Sequence, residues 1–318
     1  MFDIVRYTPV HHDAWNRYVA KARNATFLFY REYMDYHSDR FRDHSLLFYV
    51  GNHLHSILPA HEIDDIFCSH RGLTYGGLLM DVDVTTADVL KLFEELNAYL
   101  HQYGFRKVLY RSVPWVYHRL PAEEDLYAMF WKCGAHLQQR MSGTVIFMDA
   151  HLRWRKDHRR RLRQAQNAGI KVVGNSSLSE FWPVLNDNLH RKFQAQSVHT
   201  LEEIELLQSR FPNNIIQYNA FLGDEIVGGV TFYVMGHVLH GQYSGTTDEG
   251  KRLGAMEAIY EQVMYHDYAN MRYLDFGTSN EAGGSILNEG LIAHKEGYGG
   301  RTVMYDTYEW EVKGNSVK

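Results

Sequence analysis

Residues 273–300 read YLDFGTSNEAGGSILNEGLIAHKEGYGG. Tyr273-Leu274-Asp275-Phe276 has the composition of a short buried strand. Gly277 breaks it into a polar, glycine-rich loop. Leu291, Ala293, Lys295, Tyr298 and the pair Gly299-Gly300 follow, before a final aromatic strand over Val303 to Trp310. A buried strand that delivers polar groups into a glycine-rich loop, followed by a lone lysine among apolar neighbours, marks a candidate site. The same run also reads as a strand, a loop and a helix that close a core.

The rest of the composition bounds what such a site can serve. The chain has 318 residues, enough for one large domain or two ordinary ones. Hydrophobic residues make up 45%, which supports a substantial core and excludes disorder. Thirty-three Lys and Arg stand against 38 Asp and Glu, a formal charge of -5, which argues against a general nucleic-acid or DNA binder. The two cysteines, Cys68 and Cys133, have neither metal-ligand nor redox spacing. They suit a reducing cytoplasm. The N-terminal MFDIVRYTPVHHDAW has no apolar signal core, and no run reaches the roughly 18–20 apolar residues of a membrane helix. A cytoplasmic chain without an integral membrane segment is therefore expected. The 19 histidines are scattered and form no paired-His motif, so no metal site is expected.

Working outward from residue 273, the pattern is mixed α/β. Phe2 to Tyr7 alternates like a strand, and Asp13 to Arg23 carries an apolar helical face. The aromatic run Phe27 to Tyr36 reads as core rather than as a cofactor box. Leu46–Val50 and Leu54–Ala60 flank Gly51-Asn52 as a hairpin. Ile66 to Ser69 leads into a second polar, glycine-rich stretch. Thr86 to Tyr103 is an amphipathic helix stopped by Gly104. Strands are expected at Lys107–Ser112 and Gly143–Met148, with a short helix over Glu123–Lys132. The second half repeats the order. Ile170–Val173 is a strand, and Ser177/Glu180 and Thr200/Glu203 have capping-box spacing. A hairpin turns at Gly223-Asp224, Val238–Ser244 extends the meander, and Lys251–Tyr268 is helical before the strand at Tyr273. Two similar halves, residues 1–150 and 151–318, follow from this duplication. The expected architecture is a mixed sheet with flanking helices in each half, the halves packed side by side.

Two basic motifs stand out in an acidic chain. Between Arg153 and Arg163 lie seven cations and the single acid Asp157. Arg155, Arg159 and Arg163 share a helix face and suit bidentate phosphate contacts. A solvated charged face is the plain reading of the same residues. The segment GTTDEGKRLGA, residues 245–255, precedes a helix and puts Lys251 and Arg252 beside a candidate phosphate cradle. It is not a Walker loop, and its glycines also fit ordinary turn chemistry. No Ser-His-Asp order or nucleophile elbow is present, and Cys68 reads as a small buried hydrophobe.

Taken together, YLDFGTSN…GLIAHKEGYGG…YDTYEW and KDHRRRLRQAQNAGIKV resemble the Fem-type transferases that build peptidoglycan cross-bridges. These are tandem relatives of the GNAT acyltransferases. SHRGLTYGGLL in the first half is similar to the broader FemAB-like, GNAT-type group. The resemblance implies duplicated GNAT-like domains and acyl or aminoacyl transfer to an amine, with acyl-CoA or aminoacyl-tRNA as donor. Lys295 matches the lysine of the family's Phe-Lys segment, where the donor's charge is stabilised. Asp275 matches the strand aspartate before the family's Phe-Gly pair, and a structural carboxylate capping the following loop is its plain reading. Candidates for deprotonating the amine are Asp275, Glu296, or a water held by Tyr243 or Tyr298. Two features depart from the family. Ser177 to Phe211 leaves little room for the long helical arm of tRNA-using members, and Lys251-Arg252-Leu253-Gly254-Ala255 meets the GNAT pyrophosphate loop only in part.

The resulting expectation is an N-acyltransferase acting on an amine of a cell-wall precursor or amino sugar. The acceptor is expected in a groove between the halves, near Thr74, Tyr75, Arg111, Tyr243, Ser244, Ser279 and Tyr298, with Lys295 near the donor. Arg155, Arg159, Arg163, Lys251 and Arg252 are the expected phosphate contacts, and charged tRNA is a possible partner. The alternative is a non-catalytic binding module of the same fold for an anionic ligand.

Overall fold

The computed structural model describes residues 1–193 and 196–314. The chain forms two compact units, Met1–Met141 with Met304–Lys318, and Ser142–Val303. Both are mixed α/β, and each is organised around a pair of parallel strands.

In unit 1 the strands Asp3–Arg6, Leu46–Val50, His53–Leu58 and Leu79–Met80 form one antiparallel sheet. A second sheet runs from residues 304–311 of Arg301–Glu311 through Lys107–Arg111, Ile66–Ser69 and Ala60–Ile63 to Arg42–Asp43. Its parallel step joins Ile66–Ser69 to Lys107–Arg111 over three residue pairs, ending at Cys68 and Leu109. The helix Thr86–Gln102 starts where Thr85 accepts a hydrogen bond from the Asp88 amide. Its stripe of Val89, Leu92, Phe93, Leu96 and Leu100 is buried, each side chain contributing about 1.5–3 kcal/mol. The aromatic run at Phe27 becomes short helical turns that bury Phe27, Leu28, Phe29, Tyr33 and Met34. Core packing is therefore its role.

Unit 2 follows the order Lys171–Gly174, Ile215–Leu222, Glu225–Met235, Val238–Thr246, Tyr273–Thr278, then residues 142–147 of His136–Phe147. The first four strands are an antiparallel meander. The step from Val238–Thr246 to Tyr273–Thr278 is parallel. The helices Lys156–Ala168 and Ala255–Gln262 pack together beside this sheet. Thr200 and Glu203 form the complete capping box that their spacing predicts.

Three sequence expectations change. The strand expected at Gly143 begins at His136. Its first residues, His136 to Arg140, are mostly polar and carry one apolar side chain, the exposed Leu137, so they lack apolar alternation; Arg140 pairs instead with Asp306 through two hydrogen bonds of 2.8 Å. The helix expected over Lys251–Tyr268 breaks into Asp248–Leu253, Ala255–Gln262 and a wide turn over Val263–Asp267. Gly254 makes the first break: its φ is +88°, and a Cβ there would lie 2.4 Å from the Arg161 carbonyl oxygen. The strand at Tyr273 also continues through Gly277 to Thr278 rather than stopping before it.

Candidate active site

The two parallel strands of unit 2 stay paired for only three steps, Val238 with Tyr273, Leu239 with Leu274 and His240 with Asp275. Beyond that point their backbones part. At the same level the register between Glu225–Met235 and Val238–Thr246 shifts between Thr231 and Phe232, so that Gln242 is an extra residue in Val238–Thr246. The Gln242 side-chain oxygen at this bulge is buried with no hydrogen-bond partner. Parallel strands that separate leave backbone amides and carbonyls facing a gap. Unit 1 differs at the matching step. There the Ser69 hydroxyl donates to the Arg111 carbonyl at 3.2 Å and accepts from its amide at 2.7 Å, lacing the strands together.

Lys295 and Asp275 shape the end of the Tyr273–Thr278 strand. Lys295 projects from the helix Glu289–Gly297, which starts where Asn288 accepts from the Leu291 amide. Its ammonium donates to the Gly277 carbonyl at 3.1 Å and to the Thr278 carbonyl at 2.7 Å. Two of its three N–H groups are thereby used. Burial pulls its pKa down to about 8, with the Asp275 charge opposing the shift. Asp275 is fully buried. One of its oxygens accepts from the Gly277 amide at 2.7 Å, and the other lies 3.1 Å from His240 Nδ1. Loop and lysine are thus fixed from opposite sides of Gly277.

The other expected residues of this unit fall into three settings. Tyr243 lies beyond the strand split, with its hydroxyl 2.5 Å from His199 Nδ1 and its ring 5.4 Å from Trp182. Burial raises its pKa to about 12, so the phenol is protonated at neutral pH. Ser244 beside it is exposed, and Glu296 is half-buried. The Ser279 hydroxyl is buried without a hydrogen-bond partner, next to the loop that Lys295 holds. Tyr298 is enclosed by Trp154, His158, Tyr260 and Phe276. Its complete burial drives its pKa far up, and places it in the core rather than at a solvent-facing site. In unit 1, Tyr75 is buried and donates to Thr26, Thr74 is half-buried, and the Arg111 guanidinium donates to the Leu73 carbonyl at 3.2 Å. Burial lowers the Arg111 pKa, with Arg71 adding to the shift.

The cations of unit 2 are only partly brought together. Arg155, Lys156, Asp157, Arg160 and Arg163 line a concavity of about 550 Å³. Arg159, expected on the same face, is half-buried elsewhere, and its Nε is buried without a hydrogen bond. The turn at Gly254 touches the same helix through Arg161. Lys251 and Arg252 are exposed, and Arg252 is engaged by Glu249 at 2.5 Å. Asp248 and Glu249 occupy the first turn of that short helix, so its start is poor in positive potential. Sequence reading missed His199, His240 and Gln242. His240 meets Asp275 only through the parallel register, and the bulge at Gln242 has no local sequence signal.

Residues 153–283 match the family described as "Acetyltransferase (GNAT) domain". The sequence has no significant match among curated proteins. Solved structures resemble the whole chain. The structure of FemX superposes with a TM-score of 0.69 at 10% identity, covering 97% of each chain. L-PGS from Bacillus licheniformis gives a TM-score of 0.61 at 12% identity, over 98% of this chain and 94% of that one. A tandem GNAT protein from the clavulanic acid biosynthesis pathway gives 0.57 at 12% identity, over 99% of this chain and all of that one. Among the described residues, no helix is long and apolar enough to cross a membrane. The whole chain has the tandem GNAT fold of these structures, and its residues 153–283 match an acetyltransferase (GNAT) domain.

Proposed function

We propose that unit 2 transfers an acyl or aminoacyl group from a CoA thioester to an amine of a cell-wall precursor or amino sugar. The open parallel pair carries this reading. The edge of Val238–Thr246 beyond His240, where the ladder to Tyr273–Thr278 stops, suits an extended, amide-bearing donor arm that adds to a strand edge, and the pantetheine of CoA is such an arm. In unit 1 the Ser69 hydroxyl occupies the equivalent step. The arginine concavity of unit 2 supplies charge for the donor's phosphates. The acceptor class rests on the residue resemblance to Fem-type transferases.

In the reaction the amine nitrogen attacks the thioester carbonyl carbon, and the carbonyl oxygen becomes an oxyanion. The third N–H of Lys295 is the donor for that charge. Collapse breaks the C–S bond and releases a thiolate. Tyr243 and His199 form the relay for the amine proton: the phenol oxygen accepts it while its own proton passes to His199 Nδ1. His199 then returns its proton to solvent and the thiolate takes one up from solvent, so that the products are the amide and the free thiol.

The test is product formation. The chain is incubated with acetyl-CoA, longer acyl-CoA thioesters or alanyl-tRNA, each with peptidoglycan-precursor peptides or amino sugars, and read by mass spectrometry. An amide product from a CoA thioester supports the reading, and product from the charged tRNA alone moves the donor to aminoacyl-tRNA. No product with any pair, despite donor binding, overturns transfer in favour of a binding module.

A further inference from the structure

Three helices of unit 2 bring one polar side chain each to a common point. His158 comes from Lys156–Ala168, Glu257 from Ala255–Gln262 and His294 from Glu289–Gly297. One ligand atom from each lies within 4.8 Å of the other two. His158 exposes 0% of its surface and Glu257 2%, while His294 is half-buried.

The pairing of these groups is incomplete. His158 Nδ1 lies 3.0 Å from Glu257 Oε1, yet neither atom has an aligned hydrogen bond, and His158 Nε2 has none either. An unmet buried polar group costs about 1–3 kcal/mol, and more when it is charged. The Arg161 guanidinium is 3.5 Å from the same carboxylate oxygen, too far for a good charge-assisted bond. A simple imidazolium–carboxylate pair would aim the ring N–H along the 3.0 Å line, and the geometry does not.

The ring is held in this orientation by packing. A Cβ on Gly297 would lie 2.2 Å from His158 Nε2, so the absent side chain leaves room for that edge of the ring. The Tyr298 ring sits 4.3 Å from His158, and its hydroxyl is also buried without a hydrogen bond. Nε2 therefore faces Gly297, and Nδ1 is the nitrogen turned to the carboxylate.

We propose that His158, Glu257 and His294 bind a single divalent transition-metal ion of the zinc class. Two imidazoles and a carboxylate are a donor set that zinc accepts. Bonds of about 2.0–2.1 Å in a tetrahedral site put neighbouring ligand atoms about 3.3 Å apart. His158 and Glu257 already stand near that spacing. His294 must close the remaining gap, and it is the one ligand with solvent around it. The ion would tie the three helices together and neutralise the buried carboxylate. It would also hold the helix that carries Lys295, so its role is structural support of the site rather than a chemical step. The scattered sequence positions hide such a site because each ligand comes from a different helix.

The test uses untagged full-length chain, stripped with a chelator and titrated with Zn²⁺ and Co²⁺. The expected result is one tightly bound ion per chain by mass spectrometry of metal content, with ligand-field bands of four-coordinate cobalt and a raised Tm. His294→Gln and Glu257→Gln should each weaken binding by at least about 100-fold, since even outer-sphere changes at metal sites cost 10–100-fold. His294 is half-buried, so His294→Gln tests the site in a folded chain. Uptake of no ion, or weak uptake that His294→Gln leaves unchanged, overturns the assignment.

Discussion

The Lys295 ammonium lies 2.7 Å from the Thr278 carbonyl oxygen, across the end of the strand that carries Asp275. This contact makes Lys295 part of the fold and leaves one N–H for chemistry. Its pH behaviour separates the two roles. The folded-state pKa, about 8, lies below the ordinary 10.5, so above pH 8 the unfolded chain binds more protons. Stability is therefore expected to rise with pH from 8 toward 10.5, while transfer falls as the ammonium is lost. Urea midpoints and kcat/KM measured across that range check the opposed trends. A rate limb that persists unchanged in Lys295→Arg contradicts the assignment.

Asp275 is predicted to act by fixing the loop. Asp275→Asn still accepts from the Gly277 amide but loses its charge beside His240, and is expected to cost about 1–2 kcal/mol with a partial loss of rate. Asp275→Ala leaves more groups unmet and should cost about 3–5 kcal/mol. Chemical denaturation read beside kcat decides the matter. A variant with wild-type stability and no turnover would instead make Asp275 the base.

Much of this architecture is legible in the sequence. The hairpins, the Thr86 helix and the capping box at Thr200 are local signals, and local signals survive folding. The strand at Tyr273 is likewise legible, because its apolar residues are buried as their composition suggests. What sequence reading misses is set by register and by contacts between distant elements. His240 meets Asp275 through a parallel pairing 35 residues apart. The unlike ends of the two parallel pairs are marked by one serine and one bulge. Arg159 leaves the expected arginine face because the helix packs, and a helical spacing alone does not say which side faces the core.

Gly254 joins the arginine helix to the turn before Ala255. Gly254→Ala combines a left-handed backbone with a contact on the Arg161 carbonyl, and is expected to cost about 2–3 kcal/mol. Gly236 is also left-handed, but a Cβ there would meet nothing within 4 Å, so Gly236→Ala should cost only about 1 kcal/mol. Thermal melting of the two variants compares them directly. Equal losses would remove the special role of the Gly254 contact.

In unit 1 the buried histidines His37, His61 and His70 pack with Phe41. Burial lowers all three pKa values, His61 to about 4. For each, the unfolded value near 6.5 is the higher one, so the unfolded chain takes up protons first. Stability is expected to be intact above pH 6.5 and to fall as pH drops toward 4, with His61 alone accounting for about 2 kcal/mol. Urea titrations at pH 7 and pH 4.5 measure the loss, and His61→Gln should reduce it. An unchanged midpoint between the two pH values contradicts the prediction.

The most direct test of the account is kcat/KM for Lys295→Met against the wild-type chain at pH 7, with an acyl-CoA donor and a responsive amine, after melting shows that the variant is folded. The account predicts a fall of about 100-fold or more, the usual cost of removing one donor from a developing oxyanion. Transfer at the wild-type rate by the folded variant would contradict it.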